Sequence, residues 1–173
     1  RLGDGSALGC SIEYLREEPA TPLGTAGSLT LLPTEYTEAS APPMLVLNGD
    51  IMVDFSVREL LAFHEASSAR MVMGTKSYQH TVPYGVVEVD SDRNVTRMSE
   101  KPDLTVEINA AVYCIDADLI RLLPYNVPST MPELAQICID SGRGVAVTMA
   151  DRLDAEPNDV GRADVLDDRE PQQ

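Results

Sequence analysis

Positive charge is scarce in this chain. Thirteen Lys and Arg stand against twenty-eight Asp and Glu, giving a formal net charge of −15. That balance argues against a phosphate-backbone binder, because non-specific nucleic-acid affinity rests on Lys and Arg neutralising phosphates. Small phosphates remain within reach if divalent cations and a few placed basic residues offset the repulsion. Taken alone, the acidity needs no role beyond solubility. Cysteine is sparse as well: Cys10, Cys114 and Cys138 are odd in number, far apart and without C-x-x-C spacing. This fits a reducing cytosol better than a disulfide framework. His64 and His80 are the only histidines, and neither has a second imidazole or a cysteine at ligand spacing. Zinc and Ser-His-Asp chemistry therefore lack support, and a surface or helix-face role suffices for each. No apolar run approaches the roughly 20 residues of a membrane span, and no charged-then-apolar leader is present, so the expectation is a soluble, cytoplasmic protein without a membrane partner. There is no internal repeat, low-complexity tract or linker. The chain also opens on Arg1 rather than methionine and passes at once into Gly3-Asp4-Gly5-Ser6, a turn that normally separates two elements. The expectation is that something precedes it.

What is present suffices for one core. With 173 residues and 43% hydrophobic content, one compact domain is expected over residues 1–164, with residues 165–173 as an acidic, frayed tail. Residues 10–16 alternate as a strand does, and a short helix is expected to open at Gly24-Thr25 and run through Leu29 and Leu32. MLVLNGD (44–50) is a continuous apolar run ending in a carboxylate, the pattern of a buried parallel strand. Ser56 and Glu59 read as a capping box for a helix to about residue 67, and Thr130 and Glu133 as a box for a second helix. Residues 69–77, 84–90, 94–100, 105–115 and 144–149 read as strands, the middle pair joined by a turn at Asp90–Arg93. The order is mixed α/β with a β-rich insertion in its second half.

Three stretches have a physical case of their own. Asp50 ends a strand at the crevice where open α/β sheets bind ligands, and its hard oxygens suit Mg²⁺; a plain turn residue or helix N-cap is an equally good reading. In PLGTAG (22–27), Gly24 permits close backbone approach to a flat base and Thr25 opens a helix whose N–H groups point outward; a simple loop-to-helix junction would look the same. In Glu100-Lys101-Pro102, Lys101 can neutralise a phosphate and Glu100 can accept from hydroxyls, unless the two form only a solvated ion pair.

PLGTAG, NGD, PYGVVEVD (83–90), EKP with NAAVY (109–113), and NDVG (158–161), in this order, resemble the sugar-1-phosphate nucleotidyltransferase family. The mannose-1-phosphate guanylyltransferase branch and the related bacterial enzymes fused to CBS domains look nearest, over nearly the whole chain. The resemblance implies a Rossmann-like, glycosyltransferase-A-like mixed sheet flanked by helices. It implies that Asp50 and Asp159 share a Mg²⁺, although Pro157 stands where the family usually has tryptophan. It places Glu17 at the base edge, where a carboxylate accepts the two neighbouring donors of guanine and so favours GTP, with Glu18 as a rival. Gly24 and Thr25 would line the nucleotide, and Gly85, Glu100, Lys101 and Asn109 the sugar phosphate. At Ala111 the family commonly has glycine.

The family's first motif, G-x-G-T-R-L-x-P-x-T, occurs nowhere in the chain. Its loop cradles the triphosphate and its Arg stabilises charge at the α-phosphate. At about 30 residues per β-α-β unit, roughly 60 residues of first β-α units would be missing, exposing one side of the sheet unless a homo-oligomer or another chain covers it. The implied activity is nucleotide-sugar synthesis: a sugar-1-phosphate oxygen attacks the α-phosphorus of a nucleoside triphosphate and pyrophosphate leaves. Without the triphosphate loop the chain by itself is expected to be inactive. Two further readings stay open, a non-catalytic sugar-phosphate-binding or regulatory subunit and a fragment without function.

Overall fold

The computed structural model describes residues 2–51 and 55–149. Four strands form the main sheet in the order β1-β5-β2-β6, with β1 at Met44–Leu47, β2 at Met71–Thr81, β5 at Asp103–Ile115 and β6 at Val145–Met149. Strand β5 runs antiparallel to both β1 and β2, whereas β6 is parallel to β2. The sheet is therefore mixed, and helices cover both faces.

Side-chain alternation decides what each face meets. Met71, Tyr113 and Ile115 pack beneath α3 (Met131–Asp140), joined by Leu119 and Ile120 of the 3₁₀ turn Ala117–Leu122. Val72, Val112 and Cys114 point the other way and pack beneath Leu60 of α2 (Val57–Ala66). The two long helices start where their caps dictate. Ser56 Oγ accepts the Glu59 N–H at 3.2 Å, and at α3 the box is reciprocal, with Glu133 Oε2 accepting the Thr130 N–H at 2.7 Å.

Three expectations are corrected. Residues 10–16 form no strand: Ile12 N–H turns back to the Asp4 carbonyl at 2.8 Å and the Tyr14 hydroxyl donates to the Gly3 carbonyl at 2.7 Å, so no neighbour completes a ladder among the described residues. The helix of the GTAG motif, α1, ends after four residues, Gly24–Gly27, and gives way to a 3₁₀ turn at Ser28–Leu31. Pro33 holds Leu32 extended and stops propagation. Among the described residues strand β1 lies at the edge of the sheet, its hydrogen-bonded neighbour is antiparallel, and it is half-buried, with Leu47 exposed.

β3 (Gly85–Val89) and β4 (Val95–Glu100) continue β2 and β5 as one long two-stranded ribbon. At the tip, Asp90 Oδ1 accepts the N–H groups of Asp92 at 3.0 Å and Asn94 at 2.8 Å. The ribbon kinks where Pro83 and Pro102 interrupt the ladder, leaving Val82 N–H on the Pro102 carbonyl at 3.0 Å and Lys101 N–H on the Tyr84 carbonyl at 3.3 Å.

At the opposite end of the sheet, Arg70 donates to Asp116 at 2.7 Å and to Asp118 at 2.5 Å, and His64 Nε2 lies 3.3 Å from Asp116. Its neighbours' negative charge and the Asp116 hydrogen bond above all raise the Arg70 pKa. His64 is thus a buried link between α2 and the strand ends rather than a surface residue.

Candidate functional site

The NGD tip and the NAAVY segment meet. Leu47 pairs with Val112, and the next residue, Asn48, donates its N–H to the Ala111 carbonyl at 3.3 Å. Asp50 lies two residues further on, in an exposed turn. Opposite, β5 bulges: Met73 pairs with Tyr113 and Thr75 with Asn109, so Gly74 alone opposes Ala110, Ala111 and Val112. The excess is absorbed at Ala111, whose φ of 57° is left-handed. This backbone turn sends the Ala111 N–H to Asn109 Oδ1 at 2.9 Å, while Asn109 Nδ2 donates to the Tyr113 hydroxyl at 2.5 Å.

The PLGTAG loop is tied down from several directions. Glu17 Oε2 accepts the Leu23 N–H at 2.7 Å, which places the Glu17 carboxylate against the loop. The Ala26 and Gly27 N–H groups both donate to the Ser129 carbonyl, at 3.0 and 3.1 Å, so they do not point outward as expected. Thr25 Oγ1 accepts the Met131 N–H at 3.0 Å and so helps cap α3. Gly24 has φ 74°, and a Cβ there would sit 2.7 Å from the Ser129 carbonyl oxygen. Glycine is demanded here by packing, independent of any ligand.

Gly85, Glu100 and Lys101 come together at the ribbon kink. Gly85 pairs with Glu100, and a Cβ on Gly85 would lie 3.2 Å from Glu100 Oε2, so the missing side chain leaves the carboxylate its room. Lys101 takes φ 45° and is exposed. Among the described residues no salt bridge joins Glu100 to Lys101.

The match to known proteins then decides the family: the nucleotidyl transferase model covers residues 1–170. The chain belongs to that family. Among curated relatives it is 33% identical over 138 residues to the probable mannose-1-phosphate guanylyltransferase 2 of Arabidopsis thaliana, covering 76% of this chain and 37% of that protein. It is 32% identical to the mannose-1-phosphate guanylyltransferase of Mycobacterium tuberculosis, over 71% of this chain and 33% of that one. The match thus spans about a third of these relatives' length. The crystal structure of HddC from Yersinia pseudotuberculosis aligns with a TM-score of 0.47 at 20% identity, over 74% of this chain and 54% of that one.

Within this nucleotidyltransferase chain the residues expected to form the site fall into groups. Asp50 and Asn109 share the sheet end; Gly85, Glu100 and Lys101 share the kink; Glu17, Gly24 and Thr25 share the GTAG loop. Asp103 at the kink is six residues from Asn109 along β5, about 20 Å of strand at a rise of about 3.3 Å. Lys101 is therefore not an immediate neighbour of Asn109. Asp159 lies outside the described residues, as does the boundary at residue 164. No group of three or more potential metal ligands converges among the described residues. An exposed Asp50 still fits Mg²⁺, which takes one or two carboxylates and completes its shell with water and substrate phosphates. No helix among the described residues is long and apolar enough to cross a membrane. The Tyr113 hydroxyl carried no separate sequence signal, whereas the glycine the family commonly has at Ala111 is a signal for the left-handed backbone found there. The i, i+4 spacing of Asn109 and Tyr113 is compatible with one strand face, but the bulge between them was invisible.

Proposed function

We propose that this chain contributes the acceptor side of a nucleotidyl transfer, in which a sugar-1-phosphate attacks the α-phosphorus of a nucleoside triphosphate and pyrophosphate leaves. The observation that carries the reading is the junction of NGD with NAAVY in a chain matched by the family model from residue 1 to 170. Mannose-1-phosphate is the favoured acceptor and GTP the favoured donor, supported by the relatives' names and by Glu17, whose carboxylate is held at the loop edge.

Asp50, with Asp159 as second ligand, would hold Mg²⁺, and the chemistry such an ion supplies is charge neutralisation on phosphate oxygens. Lys101 contributes a point charge to the sugar phosphate, Glu100 accepts from sugar hydroxyls beside the open Gly85, and Asn109 donates an N–H. For all four to act on one molecule, the ribbon junction must approach the sheet end more closely than the stretch of β5 from Asp103 to Asn109 places it. Gly24 and Thr25 shape the nucleotide side chiefly by packing.

These 173 residues hold no G-x-G-T-R-L loop, so this chain taken alone should bind sugar phosphate yet release no pyrophosphate from GTP, mannose-1-phosphate and Mg²⁺. Calorimetry and a pyrophosphate assay test this together. Asp50→Asn should remove the Mg²⁺ dependence of binding, and Lys101→Met should weaken binding about tenfold. Turnover by the chain alone, or indifference to both substitutions, would reject the assignment. A second reading, a sugar-phosphate-binding subunit without catalysis, is favoured by the engagement of the Ala26 and Gly27 N–H groups with Ser129. Binding of mannose-1-phosphate without any binding of GTP would select it.

A further inference from the structure

The proposed reaction leaves Tyr113 with no task beyond filling the core. Tyr113 is 2% exposed and packs with Met71 and Ile115 beneath α3. Its hydroxyl nevertheless reaches out of that core to Asn109.

The Asn109 carboxamide is held at both ends. An N–H cannot donate to an NH₂ group, so the Ala111 N–H at 2.9 Å identifies its acceptor as the oxygen. Nδ2 therefore carries the two hydrogens, and one of them is given to Tyr113. One N–H remains, on a residue that is exposed. The arrangement depends on the bulge: in a regular strand the Ala111 N–H would enter the ladder or point to solvent, and only the left-handed φ of 57° returns it to the side chain two residues back.

We infer that the Tyr113 hydroxyl is a positioning group that, with the Ala111 N–H, locks the Asn109 amide. The single outward N–H is then a fixed donor to one hydroxyl oxygen of the sugar-1-phosphate and selects that hydroxyl's configuration. The inference rests on the sugar-phosphate reading above and deepens it. A freely rotating carboxamide offers either its oxygen or its nitrogen and tolerates both epimers. A locked one offers only a donor in one direction, and a site built around one directed hydrogen bond rejects ligands that cannot make it.

Tyr113→Phe keeps the ring and removes the oxygen. Calorimetric titration with mannose-1-phosphate and with its C2 epimer glucose-1-phosphate should show at least about a tenfold preference in the unaltered protein, narrowed to about twofold in Tyr113→Phe. A purely structural hydroxyl would lower the urea midpoint and leave that ratio alone. The unaltered protein supplies an independent measurement: on addition of mannose-1-phosphate, one proton of the Asn109 side-chain amide pair should shift in ¹⁵N–¹H spectra while the proton on Tyr113 stays. Movement of both protons or of neither overturns the lock, as does an unchanged epimer ratio in a folded Tyr113→Phe. Failure of the unaltered protein to bind either sugar phosphate is a different result, and it rejects the sugar-phosphate reading together with the inference built on it.

Discussion

The N–H of Asn48 donates to the carbonyl of Ala111 at 3.3 Å, and through that bond two motifs from distant parts of the chain share one end of the sheet. Edge strand β1 contributes the acidic turn; inner strand β5 contributes the bulge that faces it.

Ala111 stands in a conformation that suits glycine. An L residue at φ 57° carries a penalty of about 1 kcal/mol. Ala111→Gly should be neutral or stabilising by up to about 1 kcal/mol, whereas Ala111→Val should cost about 2 kcal/mol or more, since a branched Cβ aggravates the clash. Urea midpoints measured side by side should show the opposite signs.

Gly24 offers a harsher case. The φ of 74° combines with a contact of 2.7 Å between the would-be Cβ and the Ser129 carbonyl oxygen. Gly24→Ala should lose about 2–3 kcal/mol and loosen the α1–α3 junction, raising hydrogen exchange at the Ala26 and Gly27 amides, which bond Ser129.

Removing Asp116 leaves both Arg70 and His64 without their shared acceptor. The Arg70 and Asp116 side chains are 34% and 32% exposed, so solvent screens the pair. Asp116→Ala is expected to cost about 1–2 kcal/mol, with part of the deficit vanishing at 1 M salt, where the screening length is about 3 Å. A cycle with Arg70→Met should return a coupling below the single-mutant loss.

Cys114 is fully buried, and burial first, then the charges of Asp116 and Glu65, push its pKa up to about 11. The unfolded thiol titrates near 8.5. Because the folded value is raised, the contribution to stability is complete below the unfolded pKa and is lost as pH climbs towards 11, a loss of about 3 kcal/mol. Chemical unfolding between pH 8 and 11 should show the decline, and Cys114→Ser should flatten part of it. Cys10 is exposed while Cys114 and Cys138 are buried, so a thiol reagent at pH 8 should label Cys10 fast and the other two only on unfolding.

Much of the chain was legible because its signals are local. Thr130 and Glu133 announce α3 through a box that forms as spelled, and the alternation at 69–77 and 105–115 announces β2 and β5, each only a few residues off. Residues 10–16 misled for the complementary reason. Their alternation describes what a strand would look like, but a strand exists only beside a neighbour, and Ile12 and Tyr14 bond the GDGS turn instead. MLVL misled likewise, since an apolar run does not say which strand lies alongside or whether both faces are covered.

The helix starts, the hairpin tip at Asp90 and the motif types follow from local sequence, because each depends on side chains within a few residues of one another. Tertiary structure alone decided that Asn48 would meet Ala111, that β5 would bulge there, that the GTAG amides would be spent on Ser129, and that Lys101 would stand along the ribbon from Asn109. Those outcomes depend on register between segments far apart in the chain. Register is set by how whole faces pack, an energy that no short stretch of residues contains.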